Sequence, residues 1–499
     1  MALLATSGVV FLGAHLFYFA SATSDDAFIS LRYAVNLVAG DGLVFNPGER
    51  VEGFSNFLWV MLVAAGVALG GEAVVIAKAF GLVSLGALLF AVFRLVRETG
   101  WKPLERAALF FLLGCNWPLA YYSISGLETI FYGASLAGAA VSFVRRGGRI
   151  GSDTMALLLA AALTRPEGVI FTGLFVSLHL WGNRSLRGAI VPCVLFAACY
   201  GAFLLWRYSY FGAWVPNTYL VKSPLRAGLG AGWVRLFAGG MDEVYAFIAH
   251  TGGPIFLALA LGGLLSASNR AIAAAGALLT GGLFFEKFAG GDWMGGYRFL
   301  APFVPFYFLL GIEGLRRVAD HLTVAPAVRS SLLAGVLALV GIFQLFSSFE
   351  FHLQRGRYPY FIMTAEDMAA AGRWIGARYP RETKVVCWRI GALGYYSELQ
   401  IIDTWGLTDR TIARLRYEDR LTDDALKHYL GLRQPELVLV VGAHHPGTER
   451  DGWGMRYRLV RTFPQGSRSQ WSLFEKTTEP AATGAPSPGR LHVDPARPR

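Results

Sequence analysis

The stretches 155–162, 190–206, 271–285 and 332–346 are apolar on every helical face, with no polar stripe to turn toward water. A helix on the surface of a soluble protein keeps such a stripe, whereas one surrounded by hydrocarbon does not. The excess apolar surface has to face lipid, so the chain reads as a polytopic α-helical membrane protein. Composition agrees: 54% of residues are hydrophobic and 16% charged, where soluble domains carry roughly a quarter. The formal charge of +11 does not point to nucleic acid, because Lys and Arg sit between apolar runs instead of alternating with aromatics over one surface. The four cysteines, Cys115, Cys193, Cys199 and Cys387, show neither a disulfide framework nor a zinc spacing.

Apolar runs near 3–21, 73–93, 105–122, 127–144, 152–164, 168–182, 188–206, 252–267, 271–287, 298–315 and 329–347 predict about 11 transmembrane helices. The run 54–69 is apolar too, and no basic residue separates it from the next span. If it lies on the outer interface without crossing, the basic short loops around Arg97, Arg146, Arg187, Arg270 and Arg317 all fall on the cytoplasmic side; if it crosses, all fall outside. The positive-inside rule selects the first arrangement. The expectation is a multi-pass protein of the inner (plasma) membrane, with loops 22–53, 123–126, 165–167, 208–251, 289–297 and everything after about 348 extracytoplasmic. The first run has neither a basic lead nor a small-residue cleavage site, and reads as a retained anchor. Runs 152–164 and 168–182 are short of the roughly 20 residues a crossing needs, which suits a tilted or re-entrant pair whose charged turn is buried in protein.

This divides the chain into a membrane module, 1–348, with a first outer loop at 22–72, and a small extracytoplasmic α/β domain, 349–476. Strand-like runs in the latter fall at 384–387, 400–402 and 437–441, and the Pro-, Ala-, Gly- and Arg-rich stretch 477–499 reads as a disordered tail.

The residues able to carry chemistry gather on the outer side. Ser24 precedes Asp25 and Asp26, which occupy a first helical turn where the macrodipole favours carboxylates. Two helix-start acids on a wet loop is one reading; the other is an acid pair that, with Arg32 one or two turns on, deprotonates one substrate and holds the phosphate of another. Glu52 is either a solvated acid or a binding group at the mouth of an apolar helix. Arg165 and Glu167 place an ion pair at membrane depth, as a clamp or a site. Lys222 either holds a phosphate or reaches to the interface. In Gly290-Gly291-Asp292-Trp293 and Gly296-Tyr297-Arg298, Asp292 offers a carboxylate, Trp293 a stacking face and Arg298 a phosphate partner, while the glycines permit close backbone approach. There is no Walker-type phosphate loop, dinucleotide fingerprint, nucleophile elbow or HExxH motif in the sequence.

The stretch 24–59, with SDDAFI, RY and GLVFNPGERVEGFSNFLW, resembles the first outer loop of the AftB-like arabinofuranosyltransferases, membrane glycosyltransferases of the GT-C type. The resemblance continues through Ser125-Gly126-Leu127-Glu128-Thr129, Thr164-Arg165-Pro166-Glu167-Gly168, Pro216-Asn217-Thr218-Tyr219, Gly290-Gly291-Asp292-Trp293-Met294, Tyr297-Arg298-Phe299 and Gly391-Ala392-Leu393-Gly394-Tyr395-Tyr396 to Ile402-Asp403. It implies inverting transfer of a sugar from a polyprenyl-phosphate donor to a hydroxyl of a cell-envelope glycan at the outer membrane face. One of Asp25 and Asp26 would be the general base, with Asp25 preferred and Asp26 as its orienting partner or an acceptor contact, and Arg32, Lys222 or Arg298 would steady the leaving phosphate. No nucleotide sugar is required, and the ligand pattern neither assigns nor excludes a divalent cation. The C-terminal domain is short beside those of the mycobacterial wall enzymes, so the resemblance does not carry the sugar. The competing reading is a transporter or flippase for a polyprenyl-linked lipid or sugar, which calls for polar groups on both sides of a central site.

Overall fold

The computed structural model describes residues 2–183, 185, 187–222, 241–265, 269–292, 294–354, 365–442, 449–452, 455–465 and 469–477. Helices dominate. The part of the chain before the C-terminal region runs through α1 (Ala2–Tyr18), α2 (Asp25–Ala39), α3 (Phe57–Ala68), α4 (Ala73–Arg97), α5 (Pro103–Cys115), α6 (Trp117–Ile124), α7 (Thr129–Arg145), α8 (Ser152–Thr164), α9 (Gly168–Asn183) and α10 (Ile190–Phe211). It continues with α11 (Asn217–Lys222), α12 (Met241–His250), α13 (Gly253–Leu265), α14 (Arg270–Ala289), α15 (Val304–His321) and α16 (Pro326–Gln354).

Glycine sets how closely these helices approach. A Cβ on Gly114 of α5 would lie 2.0 Å from the Gly8 carbonyl oxygen of α1, and one on Gly314 of α15 would lie 1.9 Å from that of Leu259 in α13. Where lipid is as apolar as a leucine, close packing of this kind, and not a hydrophobic drive, holds helices together.

Among the described residues, α4, α10, α14 and the 327–349 part of α16 are each long and apolar enough to cross a membrane. Two bent pairs, α5 with α6 at 61° and α12 with α13 at 95°, raise that number to six. The span expected at 105–122 is thus broken at Asn116, whose side chain accepts the Leu119 N–H and caps α6. The other expected spans fall on α1, α7, α8 and α9, apolar helices of 10–17 residues, and on α15, which carries Glu313, Arg316 and Arg317. α3, assigned from its charge environment to the interface, is 12 residues long.

The C-terminal region holds α17 (Glu366–Gly376), β1 (Lys384–Cys387), α18 (Gly391–Ser397), β2 (Gln400–Asp403), α19 (Arg410–Tyr417), α20 (Asp423–Arg433), β3 (Leu437–Gly442), β4 (Glu449–Gly452), β5 (Met455–Gln465) and β6 (Ser469–Lys476). They form one mixed sheet in the order β2-β1-β3-β6-β5-β4. β1 runs parallel to β2 and β3, and the remaining pairs are antiparallel. The three expected strands are β1, β2 and β3; the antiparallel half was not expected. This region shares a core with the first outer loop: Leu31, Tyr33 and Phe45 belong to the same apolar cluster as Ile390, Leu393 and Trp471. The stretch 478–499, most of the expected disordered tail, lies outside the described residues.

Candidate active site

Helix α2 splits the acid pair. At 100° per residue, Asp25, Phe28 and Arg32 fall on one stripe, and Asp26, Ile29 and Ser30 on another. The first stripe meets the C-terminal region. The Asp25 carboxylate accepts the backbone N–H groups of Gly391 (3.2 Å) and Ala392 (3.1 Å) at the start of α18, and Phe28 packs on the rings of Tyr395 and Tyr396. Contact is close enough that a Cβ on Gly391 would sit 1.9 Å from the Asp25 carbonyl oxygen. Burial pushes the Asp25 carboxyl above its ordinary value, against the opposing pull of Arg389 and the Ala392 N–H. Ser24 takes the expected N-cap position in extended conformation, but its side chain makes no capping bond.

The second stripe faces a half-open cavity of about 1420 Å³ lined by Asp26, Ile29 and Ser30 among others. Asp26 keeps 18% of its side chain accessible, and its Oδ2 lies 3.6 Å from Nη1 of Arg298. Arg298 also grips Asp292 through Nε (2.6 Å) and Nη2 (3.1 Å). The Gly290-Gly291 pair that ends α14 has φ of 83° and 89°, which residues with a Cβ adopt at a cost, and so delivers Asp292 to the cavity. Trp293 lies outside the described residues.

A second buried network lies alongside. Arg165 Nε donates to Glu128 (2.9 Å), Nη1 contacts Glu167 (3.3 Å), and the guanidinium stacks 4.8 Å from the Phe299 ring. Asn56 donates to Glu128 (2.8 Å) and accepts from Ser30 (3.0 Å), tying the network back to α2. Both the clamp and the site readings of Arg165 and Glu167 are thereby met in part: the pair is held, and it lines the cavity. Lys222, at the end of α11, lines it as well and is exposed.

Three expected site residues are elsewhere. Asp25, the preferred base, is directed into the contact with α18, as described. Arg32 is buried off the cavity: Nη2 donates to the Leu399 carbonyl (2.7 Å) and its guanidinium covers the Phe45 ring at 4.4 Å. Burial pulls its pKa down to about 9. It shares the first stripe with Asp25 and, unlike Asp26, does not line the cavity. Glu52 is locked to Arg207 at 3.0 Å with both side chains buried, and burial lifts its carboxyl to about 7 against the pull of Arg207; the cavity receives Arg207, not Glu52.

Glu128, Asn56, Arg207, Trp405, Arg416 and Asp419 line the cavity and were not expected there. A charge directly after an apolar span, as at Arg207 beyond the run 188–206, is a signal that sequence offers. Trp405, Arg416 and Asp419 carry no such signal. The apolar wall comes from residues such as Ile170, Tyr200, Leu204, Phe285 and Phe288. Among the described residues no three His, Cys, Asp or Glu side chains are grouped so as to hold a metal ion.

Residues 357–479 match DUF8728, a domain of unknown function. A terminal β-(1→2)-arabinofuranosyltransferase of Corynebacterium glutamicum is 32% identical over 238 residues, covering 42% of this chain and 34% of that protein. Its counterpart from Mycobacterium tuberculosis is 27% identical over 271 residues, covering 50% and 41%. The matches thus span well under half the length of these relatives. The crystal structure of ArnT from Cupriavidus metallidurans in the apo state superimposes with a TM-score of 0.52 at 14% identity, over 95% of this chain and 97% of that one. The same protein bound to undecaprenyl phosphate gives 0.51 over the same shares. The chain therefore has the fold of ArnT and is similar, over part of its length, to the terminal β-(1→2)-arabinofuranosyltransferases.

Proposed function

We propose that this protein is a glycosyltransferase that moves a sugar from a polyprenyl-phosphate donor to an acceptor hydroxyl on the extracytoplasmic face of the plasma membrane. The observation that carries this reading is Asp26, a carboxylate presented to a large cavity beside Arg298. The apolar wall of the cavity suits a polyprenyl chain, and Arg298, Arg165 and Lys222 suit its phosphate. The positive-inside pattern supports a topology with Asp26 and the C-terminal region outside and about 11 helices crossing the membrane. Support for the donor also comes from ArnT, which has been seen with undecaprenyl phosphate bound. The names of the relatives favour arabinofuranose as the sugar.

In this mechanism the acceptor oxygen attacks the anomeric carbon as the bond from that carbon to the phosphate oxygen breaks. Asp26 takes the acceptor proton. The electron pair of the broken bond stays on the lipid phosphate, and Arg298 stabilises the added charge. A single displacement inverts the anomeric carbon. Asp292 and Glu128 hold the two arginines in place, so neither cation has to be ordered during the reaction. The test is the purified protein in liposomes, supplied with labelled polyprenyl-phosphate arabinofuranose and an arabinan acceptor. A labelled glycosidic bond of inverted anomer is expected. Label crossing the bilayer with no new bond would establish a flippase instead, and a retained anomer would rule out the single displacement.

A further inference from the structure

The cavity wall formed by the C-terminal region is built with as much care as the wall holding Arg298. β2 ends at Asp403, whose buried carboxylate accepts the N–H groups of Trp405 (2.8 Å) and Thr408 (2.9 Å). Gly406, at φ 96°, makes the turn between them. The loop is pinned to the membrane module: Asn217 donates to the Gly406 carbonyl (3.2 Å), and a Cβ on Gly53 would lie 2.6 Å from the Thr408 methyl. Arg416 donates to the carbonyls of Trp405 (3.1 Å) and Thr404 (3.2 Å) and lays its guanidinium 4.5 Å from the Trp405 ring centre. Just beyond α19, Asp419 stands at φ 57°, a left-handed conformation that costs a residue with a side chain. Trp405, Arg416 and Asp419 all line the cavity, and the Trp405 ring is half-buried.

We infer that Trp405 and Asp419 form a subsite for the neutral saccharide end of the acceptor glycan. An indole face with a polar edge matches the apolar C–H face of a sugar ring, and an exposed carboxylate accepts hydroxyl hydrogens. The same carboxylate repels phosphate. Two Arg416 N–H groups are taken by backbone carbonyls, which fixes that side chain against the Trp405 loop. Trp405 and Asp419 share the cavity with Asp26. The family of unknown function matched at 357–479 acquires in this chain the task of recognising the acceptor. The subsite rests on the glycosyltransferase reading for its meaning but not for its existence.

Binding and transfer are therefore measured separately. Isothermal calorimetry with a synthetic neutral arabinofuranosyl disaccharide should show binding to the whole protein in lipid nanodiscs. Trp405→Ala should weaken it about tenfold, Asp419→Asn about threefold, and Trp405→Phe should restore most of the loss. In transfer assays, Trp405→Ala should raise the acceptor KM about tenfold and move the donor KM less than about twofold. Equal disaccharide affinity in parent and Trp405→Ala, no disaccharide binding by the parent, or a donor KM that rises with the acceptor KM would overturn the subsite. Absence of a glycosidic product from the parent, with saccharide binding intact and sensitive to Trp405, would overturn the transferase reading and leave the subsite standing.

Discussion

The two faces of α2 begin with adjacent acids and have opposite surroundings. On the docking face, Asp25 meets backbone N–H groups of α18 and Arg32 meets a carbonyl and the Phe45 ring, so every polar atom named there is turned toward the protein. On the cavity face, Asp26 has one long contact to Arg298 and accessible surface. Proximity in sequence says little about surroundings in a helix: one residue is a rotation of 100°, enough to exchange a carboxylate bound by backbone N–H groups for one open to the cavity.

Substitutions should separate the faces. The largest effect is expected from Asp26→Asn, which should cut the transfer rate about 10²- to 10⁴-fold at unchanged unfolding temperature. Arg298→Gln should cost about 10²-fold, because the leaving phosphate loses its cation while Asp292 and Asp26 are left facing each other. A rate unaffected by Arg298→Gln would move the phosphate to Arg165 or Lys222. On the other face, Asp25→Ala should cost about 1–3 kcal/mol through two unpaired N–H groups. It should show as faster hydrogen exchange over 391–397 and in the C-terminal sheet, with transfer per folded molecule largely kept. Lys222→Ala, at an exposed position, should raise only the donor KM, by about three- to tenfold.

The smallest effect is one of pH. Burial lifts the Asp403 carboxyl from 3.8 to about 6, with the N–H groups of Thr408, Trp405 and Gly406 working against it. A folded-state pKa above the unfolded one means that the folded chain binds more protons in that window. The Asp403 contribution is full below pH 3.8 and is lost as pH rises to about 6. Hydrogen exchange across the Trp405 loop should therefore quicken over that interval beyond its intrinsic pH dependence, and Asp403→Asn should remove the excess.

Much of this was legible in the sequence, for physical reasons that also explain what was not. Long apolar runs announce α4, α10, α14 and α16 because hydrocarbon tolerates little else. α8 and α9 are short enough that sequence alone leaves their path through the membrane open. β1, β2 and β3 read as strands from continuous Val and Ile, whereas β5, Met455–Gln465, places Arg456, Arg458 and Arg461 among its apolar residues and was not recognised. Asp26, Lys222, Asp292 and Arg298, singled out because charges beside membrane spans are costly, all line the one cavity. Arg32, seven residues on from Asp25, returns to the same helix face and so lies apart from Asp26, a matter of angle that counting turns leaves out. Glu128 and Arg165 are 37 residues apart, and Trp405 reaches the cavity through a loop built by Asp403; such meetings are set by tertiary structure, not by local pattern.

In the proposed mechanism Asp26, and not its neighbour, is the reactive carboxylate. The direct test is the initial rate of sugar transfer from polyprenyl-phosphate arabinofuranose by folded Asp26→Asn and Asp25→Asn proteins, side by side in liposomes of one composition. Asp26→Asn should lose about 10²-fold or more while Asp25→Asn retains most of the parent rate. A slow Asp25→Asn protein beside an Asp26→Asn protein as fast as the parent would contradict that mechanism.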